Sequence, residues 1–163
     1  MSKVIYIKCN KANYDNTPRS LSSILGYAIH GTGNKNDTAV NNGKYFQREI
    51  VGVSTHYVID GYGTIVKSVP YSRTAWAVET PGMKLKGKLK NSNTISIELC
   101  DIKDKYPTKK QIAATRWLIK YLNKRCVNAK NNVVRHYDIC GKLCPNSMVD
   151  DKVWKKFLKD LNL

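Results

Sequence analysis

The chain has 163 residues, 42% of them hydrophobic, which suits one domain around one core and leaves no room for a second. Its 28 Lys and Arg against 12 Asp and Glu give a formal charge of +16; this favours a polyanionic partner without choosing among nucleic acid, anionic lipid and the phosphate-bearing polymers of a bacterial wall. No stretch approaches the ~18 consecutive apolar residues of a membrane span, so no membrane insertion is expected.

Met1 to Cys9 holds an apolar run too short and too soon interrupted for a secretory leader, so synthesis and folding in the cytoplasm are expected. The five cysteines, an odd number, then read as reduced thiols. Val4-Ile5-Tyr6-Ile7 predicts a first strand, and polar Asn10 to Ser20, carrying Pro18, a loop. Leu25 to Ile29 predicts a strand that delivers His30 to its end, where Gly31-Thr32-Gly33-Asn34 opens room beside the ring. Asp37-Thr38 predicts the cap of a short helix to about Glu49, with Ala39, Tyr45, Phe46 and Ile50 inward. Val53 to Ile59, the turn Asp60-Gly61-Tyr62-Gly63 and Thr64 to Val69 read as a hairpin. The Thr80 to Asn93 loop carries Lys84, Lys86, Lys88 and Lys90, a solvated face or the border of an anionic substrate site. Thr94 to Cys100 alternates as a strand, with Ile95, Ile97 and Leu99 on one face and Ser96, Glu98 and Cys100 on the other. Thr108 to about Val127 predicts a helix with a Thr108-x-x-Gln111 capping box and a stripe of Ala114, Leu118, Tyr121, Leu122 and Cys126. Val133-Val134 predicts a strand, and Ser147 caps a last helix to about Leu161 with Val153, Trp154, Phe157, Leu158 and Leu161 inward. Strands and helices intermix, which gives the α/β class: a single domain with a mixed central β-sheet flanked by helices.

Three stretches carry chemistry. His136 to Pro145 packs a histidine, a lysine, two thiols and a proline into ten positions. Imidazole and thiolate are preferred zinc ligands, and a catalytic zinc takes three protein ligands and keeps one position open. His136 and Cys144 can supply two through a loop folding back over a cation, and the third must come from elsewhere. Cys140 and Cys144 read equally as a disulfide pair or as buried thiols. Lys142, so near a candidate metal, makes more sense in catalysis than in packing. His30 at its strand end is a ligand candidate or a histidine satisfied by a hydrogen bond. Glu98 in an apolar strand is costly without a partner, and reads as a surface ion pair on an edge strand or as a working carboxylate.

His136-x5-Lys142-x-Cys144-Pro145 resembles the C-terminal signature of zinc-dependent N-acetylmuramoyl-L-alanine amidases, the group that includes phage endolysins and peptidoglycan recognition proteins. Ile29-His30-Gly31-Thr32 is similar to the strand that ends in the family's first ligand. Ser54 to Thr64 is similar to its hairpin, with an extra residue pair in the turn, and Asn93-Thr94-Ile95-Ser96-Ile97-Glu98 resembles the glutamate strand of the Bacillus-phage type. The likeness takes in most of residues 25 to 145. It implies an amidase-like fold and one Zn²⁺ per chain on His30, His136 and Cys144, with water in the fourth position. Glu98 would be the general base, and Lys142 the support of the oxyanion. The implied substrate is the amide joining the lactyl group of N-acetylmuramic acid to the L-alanine of the stem peptide. Ala75-Trp76-Ala77 matches a groove-lining segment, so Trp76 is a substrate contact or core, and His56 belongs to the cleft wall or is hydrogen-bonded inside the sheet. One branch has a catalytic tyrosine where this chain has Thr55, so that role passes elsewhere or is absent. The resemblance further implies a phage endolysin or its catalytic domain, made in the host cytoplasm and released by a holin; a monomer is expected, drawn to anionic wall polymers by its charge.

Competing readings are a non-catalytic peptidoglycan-binding module, against which Cys144, Lys142 and Glu98 together argue, and a basic nucleic-acid-binding or regulatory protein, for which no helix-turn-helix, finger or RNP-like motif is present. A structural zinc site with Cys140 as fourth ligand is a third.

Overall fold

The computed structural model describes residues 4–163, so the first three residues of the amino-terminal run lie outside it. A six-stranded sheet runs in the order β1 (Val4–Tyr6), β5 (Ile65–Lys67), β4 (Tyr57–Ile59), β7 (Thr94–Leu99), β3 (Gly26–Gly31) and β8 (Val133–Arg135). All pairs are parallel except the β4/β5 hairpin. A separate antiparallel ribbon pairs β2 (Tyr14–Asp15) with β6 (Thr74–Ala75), so the segment expected as pure loop contributes a short strand. Four helices cover the sheet: α1 (Ala39–Phe46), α2 (Lys109–Asn123), α3 (His136–Cys140) and α4 (Asp151–Asp160).

The two faces of the sheet have different covers. Tyr27, Ile29, Ile59, Ile95, Ile97 and Leu99 point to one face and pack under α2 and α4, against Ile112, Leu118, Leu122, Trp154 and Phe157. Val58, Val66 and Cys100 point to the other and pack under α1, against Ala39 and Phe46. The interior strands β3 and β7 are covered on both sides; the face under α2 and α4 is wholly apolar, and the other carries the small or polar Ala28, His30, Thr94, Ser96 and Glu98. Gly43 lets α1 lie close to the sheet, since a Cβ there would meet Ile7 and Val66 at 3.0 Å.

Helix ends follow local chemistry, with some departures from expectation. Thr38 caps α1 by accepting from Asn41 N–H, but the helix stops at Phe46, and Tyr45 and Ile50 are exposed. Thr108 caps α2 as expected, while Gln111 reaches across to the carbonyls of Ile59 and Cys100 instead of back to the cap. That amide ties the helix to the ends of β4 and β7. Asp150, not Ser147, caps α4, because its carboxylate accepts from both Lys152 and Val153 N–H. The stretch after β8 is not a loop but the one-turn helix α3, ended by Gly141 at φ 84°, a left-handed conformation that suits glycine.

Candidate active site

The chemistry-bearing side chains leave the carboxyl ends of the parallel strands, where open α/β sheets form their crevices. His30 is the next-to-last residue of β3, and the register sets it directly across from Glu98 on β7. His136 follows β8 as the first residue of α3. Past Gly141 the chain folds back, and Tyr137 N–H donates to the Cys144 carbonyl at 2.9 Å, which returns Cys144 to the start of α3. His30, Glu98, His136, Lys142 and Cys144 all line one cavity of about 470 Å³, with Trp76, Val53 and Leu143 on its walls. Trp76, 36% exposed, is therefore a wall residue and not core.

The two rings and the thiol form a compact donor set. His30 and His136 have ring centroids 4.6 Å apart, and Cys144 Sγ is 3.9 Å from His30 Nδ1. One ligand atom from each of the three lies within 4.8 Å of the others. A tetrahedral ion with bonds of about 2.0–2.3 Å places its donors roughly 3.3–3.6 Å apart, so small side-chain movements close the set. The Val78 carbonyl can only accept, so the 3.1 Å bond to His136 Nε2 puts the proton on that nitrogen. His136 Nδ1 then carries a lone pair, and it is buried without a partner. A buried, unpaired lone pair beside a second imidazole and a thiol is the chemistry of a divalent metal site. Cys140 stands apart from the set, with its sulfur 3.8 Å from Thr80 Oγ1 and 3.9 Å from Met83 Sδ. All five cysteines are free, so Cys140 and Cys144 are not paired.

Burial governs the site's ionisation. It lowers His30 well below the ordinary histidine range, with His136 and Lys142 adding repulsion. It takes His136 to about 4 and pushes the Cys144 thiol up to about 12. Glu98 is raised to about 7 by burial, with Lys142 opposing. Its strand is interior, and Oε2 is buried with no hydrogen-bond partner, so the edge-strand ion pair is set aside. Lys142 stands exposed at the mouth.

His56 is a correction to the cleft-wall expectation. It is fully buried, takes no part in the cavity, and accepts from Ser96 N–H through Nδ1 at 3.0 Å, while its Nε2 lies 2.8 Å from Arg19 Nη2 and 3.0 Å from the Arg73 carbonyl. Thr55 beside it is also buried and bonded to the Ser96 carbonyl at 3.0 Å. The residues not foreseen are Val78 and Thr80, which hold the outer nitrogen of His136. So too are Asn34, Asp37, Asn41 and Tyr45, which line a second cavity sharing Thr32, Phe46, Val53 and Glu98 with the first. Tyr45 is exposed because it faces this extension of the cleft and not the core.

The N-acetylmuramoyl-L-alanine amidase family profile matches residues 20–147. The chain belongs to this family. Among curated amidases it is 27% identical over 161 residues to N-acetylmuramoyl-L-alanine amidase CwlL of Bacillus licheniformis, a match covering 93% of this chain and 44% of that one. The chain thus spans less than half the length of the curated amidases it matches. A mutant endolysin from Bacillus subtilis shares the fold at a TM-score of 0.76 and 23% identity over 99% of both chains. The catalytic domain of XlyA does so at 0.78 and 24%, over 98% of this chain and 99% of that one.

Proposed function

We propose that this member of the amidase family is a zinc-dependent peptidoglycan hydrolase that cuts the amide between N-acetylmuramic acid and L-alanine, acting as a phage endolysin. The observation that carries the reading is the single cavity gathering three metal-type donors, a partnerless carboxylate and a lysine. His30, His136 and Cys144 would hold one zinc per chain. When bound there, zinc supplies Lewis-acid polarisation of the scissile carbonyl and brings the pKa of water toward neutrality.

The chain's own residues supply the rest. Glu98, held at about 7, takes a proton near neutral pH as readily as it gives one up. Its Oε2, with no partner to compete, receives the proton of the attacking water and hands it to the leaving nitrogen. Lys142 brings positive charge to the mouth, where the developing oxyanion lies; one well-aimed donor contributes about 2.7–4 kcal/mol. Trp76 offers an aromatic face to the sugar, and Val53 and Leu143 give apolar contact for the lactyl and alanyl methyl groups. Release from the host cytoplasm through a holin fits the likeness to an endolysin.

Digestion of purified wall by metal-free and zinc-restored protein tests this. New N-terminal alanine should appear with the zinc-restored protein alone, without new reducing sugar ends. Reducing ends, or alanine release indifferent to chelation, would overturn the reading.

A further inference from the structure

Away from the cleft, a groove of about 610 Å³ opens between the start of α2 and the end of α4. These helices cover the face of the sheet opposite the one to which Glu98 points, so the groove and the cleft are built on different faces of the sheet. Its lining holds four cations, Lys109, Arg116, Lys156 and Lys159, against the one carboxylate of Asp160.

That carboxylate is already committed. Tyr106 OH and Lys156 Nζ both donate to Asp160 Oδ2, at 2.7 and 2.6 Å, and Lys156 sits 3.8 Å from the centre of the Tyr106 ring. Arg116 donates to the Asp160 carbonyl, and its Nε is buried with no acceptor. Lys109 and Lys159 are exposed and make no ion pair among the described residues. The groove therefore has an aromatic and aliphatic floor, an internally neutralised Lys156–Asp160 pair, an Arg116 held to the Asp160 carbonyl, and two exposed lysines, Lys109 and Lys159, that face an anion without an ion pair among the described residues. Phosphodiester oxygens meet lysine and guanidinium donors of this kind, and the carbon skeleton between phosphates lies on an apolar floor.

We propose that the α2/α4 groove binds the phosphodiester-linked polyol polymer of the bacterial wall, and so holds the protein on its substrate through a surface outside the cleft. This rests on the hydrolase reading above, and localises to one groove an attraction otherwise attributed to the whole basic surface.

The test uses the double variant Lys109→Glu/Lys159→Glu and a charge-matched control, Lys8→Glu/Lys44→Glu, whose lysines are exposed on β1's flank and on α1. Each is sedimented with walls that keep the phosphate polymer and with walls stripped of it, and turnover of a soluble muramoyl peptide is measured alongside. The wild type and the control should bind intact walls more tightly than stripped ones. The groove variant should bind intact walls about tenfold more weakly than the wild type, with soluble turnover unchanged in all three. Equal loss in the control would show diffuse charge at work and overturn the proposal, as would equal wild-type binding to stripped walls. Displacement of the wild type from walls by phosphatidylglycerol vesicles, but not by detached wall polymer, would assign the groove to lipid and overturn it too. Absence of soluble turnover in the wild type would instead count against the hydrolase reading.

Discussion

Glu98 occupies a position that costs the fold, and the proposed reaction uses it. Its folded pKa of about 7 lies above the ordinary 4.5, so the metal-free protein loses stability as pH rises from 4.5 through 7, where the unfolded carboxylate ionises first. Glu98→Gln should therefore raise the stability of the metal-free protein at pH 8 by on the order of 1–3 kcal/mol, with the gain gone below pH 4.5. The same change should lower wall hydrolysis about 10²–10⁴-fold and leave bound zinc unchanged, as measured by metal analysis beside a melting curve. Unchanged activity would remove Glu98 from the mechanism. His56 bears the opposite sign. Burial, with Arg19 and Lys67 nearby, holds it well below the usual histidine value, so its stability contribution is intact above pH 6.5 and lost as pH falls and the unfolded ring binds a proton. His56→Asn, whose amide oxygen can still accept from Ser96, should reduce the acid-side slope of the metal-free protein by about 1.4 kcal/mol per pH unit and leave zinc content unchanged. Loss of zinc would make His56 a ligand. The residue types at His30, His136 and Cys144 were visible in the sequence, and so was the strain of an apolar strand carrying Glu98. The Val78 carbonyl that fixes the His136 tautomer was not, because backbone groups have no sequence signature.

At the scale of elements, Arg135 joins what the site needs. Buried at the end of β8, it pairs with Asp138 of α3 at 2.7 Å and Asp151 of α4 at 2.9 Å, and donates to the carbonyls of Met148 and Val149. It thus clamps the strand that precedes His136 to the turn that follows Cys144. Arg135→Met should destabilise the protein by about 2–4 kcal/mol, since it leaves those carbonyls and the Asp138 carboxylate without their donor. Zinc should also leave faster to a chelator; denaturant titration and a metal-release time course read the two effects separately. Periodicity located every long element, including α2, because burial of one stripe dictates it. It failed where local geometry decides: α1 ends early at Phe46, ahead of a left-handed Ile50 at φ 46°, and α3 hides in a cysteine-rich stretch that looked like a loop. The two-residue ribbon strands are too short for any period to register.

For the whole molecule, the proposed association with a polyanionic wall, driven by a charge of +16, should be sensitive to salt, with a screening length of about 10 Å at 0.1 M. Lysis of intact walls should fall several-fold between 50 and 300 mM NaCl, while turnover of a soluble muramoyl peptide stays level. Lysis that holds steady would remove electrostatic attraction from the account. The fold class and the sheet's mixed character followed from the order of apolar runs. Which strands sit inside did not, since order within a sheet is set by distant contacts, and Glu98 could be placed on an interior strand only from coordinates. The parallel register of β3 and β7 has a further consequence. Because side chains alternate along a strand, inserting or deleting one residue ahead of either His30 or Glu98 would turn that side chain toward Leu118 and Phe157, behind the sheet. Length variation between related chains should therefore be absent from these two strands and gather in the exposed stretch from Lys84 to Lys90, where nothing downstream depends on parity.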